Sequence, residues 1–151
     1  MDSITAKKQR FQLTNKRKEQ LTLTICLLCI FLFLYTACAK LMDHTRFLNG
    51  LYRVKAIRGF ALYISWLVPL SEIVISVLLA IPQTVKWGLY SFLGLMILFT
   101  GYIISMLLWA SKLPCHCGGA IEKLSWGQHV WFNLAFIALA IFALCLLKTK
   151  N

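Results

Sequence analysis

Apolar residues along this chain fall into four long blocks, roughly 21–41, 59–81, 88–110 and 130–147, each with few polar interruptions. A helix rises 1.5 Å per residue, so about 20 residues cover the roughly 30 Å hydrocarbon core of a bilayer. Lipid offers no hydrogen-bond partners to an open backbone, so blocks of this length are expected to cross as helices. Between the first two blocks, Phe47, Leu51 and Val54 recur at helical spacing with Arg46, Arg53 and Lys55 among them. That pattern predicts a short amphipathic helix lying in the interface. Ser125 and Gln128 have the S-x-x-Q spacing of a capping box, which starts the fourth helix slightly ahead of its apolar run, over about 126–147. The predicted fold is an all-α integral membrane protein. It is a four-transmembrane-helix bundle with an interfacial helix between helices 1 and 2, residues 21–151, behind a basic tail at 1–20.

Composition strengthens that reading. Hydrophobic residues make up 60% of the chain and charged ones 14%, with a mean hydropathy of +0.74, whereas soluble domains are about a quarter charged. The net charge of +11 raises the question of nucleic acid. The basic residues, however, cluster beside the spans, at Lys7, Lys8, Arg10, Lys16, Arg17 and Lys18 and again at Arg46, Arg53, Lys55 and Arg58. Such clusters set topology and meet anionic headgroups, and no recognition motif accompanies them. The expected partner is the bilayer, not nucleic acid. Ala37-Cys38-Ala39 has an A-x-A look, but the apolar region before it exceeds the 7–15 residues of a cleaved signal. The first span is therefore expected to be retained. Placing both termini in the cytoplasm leaves nine basic residues inside against seven outside, the orientation the positive-inside rule favours.

Two features bear on packing. Ser91, Gly94, Gly101 and Ser105 in the third span, and Ala135, Ala138 and Cys145 in the fourth, form stripes of small residues. Such stripes let membrane helices approach closely, so both are expected to face the bundle. Cys26-Leu27-Leu28-Cys29 has the letters of a C-x-x-C motif, but inside an apolar helix its thiols are expected to be small packing residues. Glu72 lies deep in the second span, three residues after Pro69. A charge at that depth costs about 2.5–3.5 kcal/mol on insertion scales, so it needs a partner, a proton or a polar cavity. Lys40, near a span end, can snorkel toward it.

The densest chemistry is in "LPCHCGGAIEKLSWGQHVWFN", residues 113–133, in the outer loop between the third and fourth spans. Pro114 ends one helix, Gly118-Gly119 permits a turn, and Trp126, His129 and Asn133 follow along one helical face. A helix N-terminus or a protonated His129 favours the thiolate of a nearby cysteine. A C-x-C disulfide between Cys115 and Cys117 closes a very small ring, and strained, exposed disulfides tend to exchange rather than staple. Cys38, at the outer end of the first span, could shuttle to the pair. Metal is the rival reading, because Cys115, His116, Cys117 and His129 together suit Cu(I) or Zn. Their spacing is not that of a common zinc site.

"ACAKLMDHTRFLNGL", "LVPLSEIVISVLLAI" and the C-H-C-G-G loop resemble the MauE-type methylamine-utilisation proteins of the DoxX-like membrane family. The most specific parts are Lys40 with Asp43, Pro69 with Glu72, and the cysteine loop before the last helix. The resemblance implies a bacterial inner-membrane protein that forms or handles disulfides in exported proteins, with Cys115 and Cys117 at the family's cysteine positions. The loop departs from a C-x-C-F-G-like form at its fourth residue. The leading expectation is a membrane thiol–disulfide protein, a possible oxidoreductase, exchanging with a periplasmic thioredoxin-like or substrate thiol protein. A quinone could accept the electrons, although no residue pattern demands one. A non-catalytic membrane subunit and a Cu/Zn-handling protein are the alternatives.

Overall fold

The structure, a computed structural model, describes residues 15–52, 54, 57–109 and 126–148. Helix α1 runs Asn15–Met42, α2 His44–Tyr52, α3 Ala61–Ala80, α4 Val85–Trp109 and α5 Trp126–Lys148, with a 3-10 turn at Arg58–Phe60 ahead of α3. Four of these helices, α1, α3, α4 and α5, are long and apolar enough to span a bilayer, and α2 is the short element between the first two spans. The expected architecture is therefore the observed one. Helix α1 begins at Asn15, so Lys16, Arg17 and Lys18 are already helical before the apolar block starts. Ser125, the expected cap of α5, and Lys7, Lys8 and Arg10 of the tail lie outside the described residues.

The spans pack in the cyclic order α1, α3, α4, α5, with α5 returning to α1, and the α1 and α4 backbones stand apart across the diagonal and meet through their side chains. This is the up-down arrangement that short connections favour. The core is aromatic and aliphatic. Phe33 of α1 meets Phe92 of α4 at 4.4 Å between ring centroids, and Phe136 of α5 extends the cluster to Phe132 at 4.9 Å. Cys26 and Cys29 are buried in this core, in agreement with a packing role. Hydroxyls inside the spans bond back along their own helices, as in Thr100 Oγ1 to the Met96 carbonyl (2.7 Å) and Ser76 Oγ to the Glu72 carbonyl (2.8 Å). This satisfies each donor without a partner from lipid. Aromatic residues such as Trp66, Trp87 and Trp131 are exposed on the outer surface near helix ends, where amphipathic rings suit the headgroup level.

The small-residue stripes do not form the packing faces. Ser91, Gly94, Gly101 and Ser105 are all exposed on α4, as are Ala135, Ala138 and Cys145 on α5. A Cβ added to Gly94 or Gly101 would meet nothing within 4 Å. The faces turned inward are Leu89, Phe92, Met96 and Thr100 on α4 and Asn133, Ala140 and Ala143 on α5. Interlocking large side chains win because dispersion grows with the number of touching atoms, and a Phe33–Phe92 contact offers far more than paired glycines.

One glycine is required. At the α3–α4 turn, Thr84 Oγ1 donates to the Leu78 carbonyl (2.8 Å) and Gly88 N–H to the Thr84 carbonyl (2.8 Å), pressing the start of α4 against the end of α3. A Cβ on Gly88 would stand 2.9 Å from the Leu79 backbone nitrogen and 3.0 Å from the Leu78 carbonyl carbon. Backbone cannot rotate out of the way as a side chain can. Gly88→Val is expected to cost about 1–3 kcal/mol, read as a lower midpoint of thermal unfolding in detergent. Gly94→Val, on the open face, should leave the midpoint unchanged.

Candidate functional site

Proline cannot donate its nitrogen, so Pro69 leaves the Ser65 carbonyl without its usual helical donor and relaxes α3 one turn before Glu72. Glu72 stands eleven residues into α3, roughly 16 Å from its start, about half the thickness of a bilayer core. Its side chain is 1% exposed. Lys40 reaches it from α1, with Nζ 2.7 Å from Glu72 Oε1. Side chains on a helix lean toward its N-terminus, so a lysine two residues from the end of α1 covers the turn before it. Its Nζ accordingly lies 3.4 Å from the Thr36 carbonyl. The expected pairing of Lys40 with Glu72 is thus realised as an intramembrane ion pair.

Thr36 and Phe99 complete the surroundings, and neither stood out in the sequence. The Thr36 hydroxyl is 3.1 Å from Glu72 Oε1 and 3.2 Å from the Phe33 carbonyl, and it shares one hydrogen between them. The Lys40 ammonium lies 5.6 Å from the Phe99 ring centroid and 6.0 Å from that of Phe47 on α2. Rings at that distance attract a cation through their quadrupole. Glu72 Oε2, in contrast, is buried and has no hydrogen-bond partner among the described residues. The only prior signal for Thr36 was its place four residues before Lys40, where helical neighbours share a face.

This pair stands on the wall of a cavity of about 530 Å³. The cavity is lined by the C-terminal part of α1, by α2, by the first half of α3, by the second half of α4 and by the first turns of α5. These segments all lie at one end of the bundle, the end from which the chain leaves at Trp109 and re-enters at Trp126. Most of the wall is leucine, isoleucine and phenylalanine. His129 and Asn133 contribute from α5, and Asn133 is buried. The i, i+4 spacing that placed His129 and Asn133 on one face is therefore expressed as two groups on one cavity wall.

Other candidates are placed differently. Cys38 is exposed on α1 and is not part of the cavity wall. Asp43 is exposed at the break between α1 and α2, with Oδ2 3.6 Å from Arg46 Nη1, an exposed pair of little energetic weight. It takes no part in the intramembrane cluster. Next to it, His44 opens α2 with Nε2 3.1 Å from Ser65 Oγ and its ring 4.5 Å from that of Trp66. The Ser65 hydrogen goes to the Leu62 carbonyl at 2.7 Å, so His44 is the donor. This contact fixes α2 against α3, and sequence reading passed over it. Trp126 is the first residue of α5. Cys115, His116 and Cys117 lie outside the described residues. Among the described residues no group of three metal-ligating side chains occurs.

The family model of the methylamine utilisation protein MauE matches residues 18–146. No curated protein and no solved structure matches the chain.

Proposed function

Given that this chain belongs to the MauE family, we propose that it is a thiol–disulfide protein of the bacterial inner membrane, with Cys115 and Cys117 as its exchanging pair. Both termini face the cytoplasm in this reading, which puts the α4–α5 connection on the outer side with exported partners. A partner thiolate attacks the Cys115–Cys117 disulfide and forms a mixed disulfide. A second partner thiolate resolves it, so the partner gains one disulfide, and two electrons and two protons remain on Cys115 and Cys117. The observation that supports this is placement. The segment bearing both cysteines joins α4 to α5 at the end of the bundle that holds the cavity and His129. In this reading His129, one turn into α5, serves the two thiols as proton acceptor and donor.

The test is a redox titration of the purified protein against reduced and oxidised glutathione buffers. Free thiols are tagged with a maleimide and assigned by peptide mapping. Cys115 and Cys117 are expected to titrate together, between about −120 and −270 mV, the range of known exchange proteins. The buried Cys26 and Cys29 should remain reduced and slow to label. Thiols at 115 and 117 that stay reduced under every buffer would sink the proposal. In intact cells, a membrane-impermeant maleimide is expected to reach Cys117 from outside; labelling only after lysis would reverse the orientation.

A further inference from the structure

The two ends of the bundle use their cations differently. At the cavity end, Lys40 is taken by Glu72, and Arg46 stands beside Asp43. At the opposite end α1 begins, the chain turns from α3 to α4, and α5 finishes. Lys16, Arg17 and Lys18 of α1, Lys86 of α4 and Lys148 of α5 gather there. They face one acid, Glu19, and none of the five forms an ion pair among the described residues.

Their depth identifies what they meet. The apolar block of α1 starts at Leu21, three to five residues after its three cations. At 1.5 Å per residue, these stand roughly 4–8 Å outside the hydrocarbon boundary. The headgroup layer on each side of a bilayer is about 5–8 Å thick, so the charges lie at the level of lipid phosphates. Lys148 follows Leu147 directly, and Lys86 is in the first turn of α4. Below them, Leu23 and Leu27 of α1 and Ile141 and Phe142 of α5 are exposed, an apolar surface for acyl chains. An anionic head joined to an apolar body meets both parts; a soluble anion meets only the first.

Packing makes one place out of charges from opposite ends of the sequence. Helix α5 lies beside α1, and neighbouring helix axes are about 8–10 Å apart, a gap that two extended lysines bridge. Burial persists to Thr22 on α1 and Leu146 on α5, so the bundle is still closed within two turns of the cations. Lys18 stands on the inward face of α1, one turn before Thr22, whose hydroxyl donates to the Lys18 carbonyl (2.9 Å). It is half-buried, whereas Lys16 and Arg17 are exposed.

We propose that the seam between α1 and α5 at this end is a binding site for an anionic phospholipid. Lys18 and Lys148 share its phosphate, Lys16 and Arg17 strengthen the attraction, and the acyl chains follow the apolar surface below. The site does not depend on the thiol–disulfide reading.

The full-length protein in a neutral detergent is titrated with dioleoylphosphatidylglycerol, and retained lipid is counted by native mass spectrometry. Saturable binding near one per chain is expected, about tenfold or more tighter than that of dioleoylphosphatidylcholine. Lys18→Gln and Lys148→Gln should each weaken it about fivefold. The double variant should lose less than the product of the two, because both changes break one shared contact. Lys16→Gln/Arg17→Gln/Lys18→Gln/Lys148→Gln keeps Lys7, Lys8 and Arg10, retains its helical circular dichroism and should bind both lipids alike. Arg46→Gln/Arg58→Gln, at the other end, should bind as the wild type does. Absence of a preference in the wild type, its survival in the quadruple variant, or independent losses at Lys18 and Lys148 overturns the proposal. Displacement of the lipid by inorganic phosphate overturns it as well, since the cations would then serve a soluble anion.

Discussion

Cys117→Ser is expected to stop disulfide exchange and to leave the protein covalently joined to its partner. In a working pair, a second partner thiolate completes the exchange from the mixed disulfide, or the neighbouring cysteine returns it to the Cys115–Cys117 disulfide. Remove one sulfur, and the remaining thiolate still joins an oxidised partner by the reverse step, with no neighbouring cysteine to release the adduct. The mixed disulfide should accumulate as a slower band on non-reducing gels of whole cells, and dithiothreitol should collapse it. Exchange by the purified variant should fall to background. The Cys115→Ser variant distinguishes the two sulfurs, because only the variant retaining the attacking cysteine accumulates adduct. Mass spectrometry of the band identifies the partner. Exchange that continues in the double serine variant would falsify the role given to the pair, and stoichiometric Cu or Zn lost on Cys117→Ser would transfer the loop to metal handling.

Lys40→Met is expected to be the most destabilising single change in the described bundle. It leaves the Glu72 carboxyl, 1% exposed, with only the Thr36 hydroxyl as a hydrogen-bond partner. Breaking a buried ion pair by removing one partner costs about 3–5 kcal/mol, which for a chain of this size is a fall of roughly 6–20 °C in thermal midpoint. Reactivity of the fully buried Cys29 toward a maleimide dye reports the transition. The two partners should not be equivalent. After Glu72→Gln, Lys40 stands two residues from the end of α1 and can snorkel outward to the headgroups, so the loss should be smaller. Glu72, in the middle of α3, has no such escape. Lys40→Met/Glu72→Leu removes both charges and should recover most of the stability, as buried pairs replaced by apolar residues often do. Equal losses in both single variants, with no recovery in the double, would show that the pair contributes only shape.

A neutralised pair in an apolar wall ties these expectations together. It explains how a carboxylate is tolerated at the depth of Glu72.

The four spans, the interfacial helix α2 and the Lys40–Glu72 partnership were legible along the chain, for the same reason in each case. An apolar run of about twenty residues has few alternatives to a membrane helix, and a lone carboxylate within one needs a cation. The inner face of α2 was legible too. That helix lies between water and lipid, so its polar and apolar sides differ, and Leu51 is indeed buried while Phe47 reaches the cavity. The inward faces of α4 and α5 were not. Glycine, serine and alanine stripes suggested close approach, yet those residues face outward and Leu89, Phe92, Ala140 and Ala143 face in.

The physical reason is the solvent. In water, burial sorts side chains by polarity, and the pattern can be read back from the sequence. In lipid, a leucine facing a neighbour helix and one facing an acyl chain have nearly the same environment, so polarity no longer marks the face. Sequence by itself therefore determined the number of spans, the place of the cysteine pair between the last two and the need for a partner at Glu72. Only the tertiary structure decided which faces meet, because shape and dispersion choose them. It also brought Thr36, Phe99, His129 and Asn133 from three helices around one cavity, a convergence that depends on distances no single helix encodes.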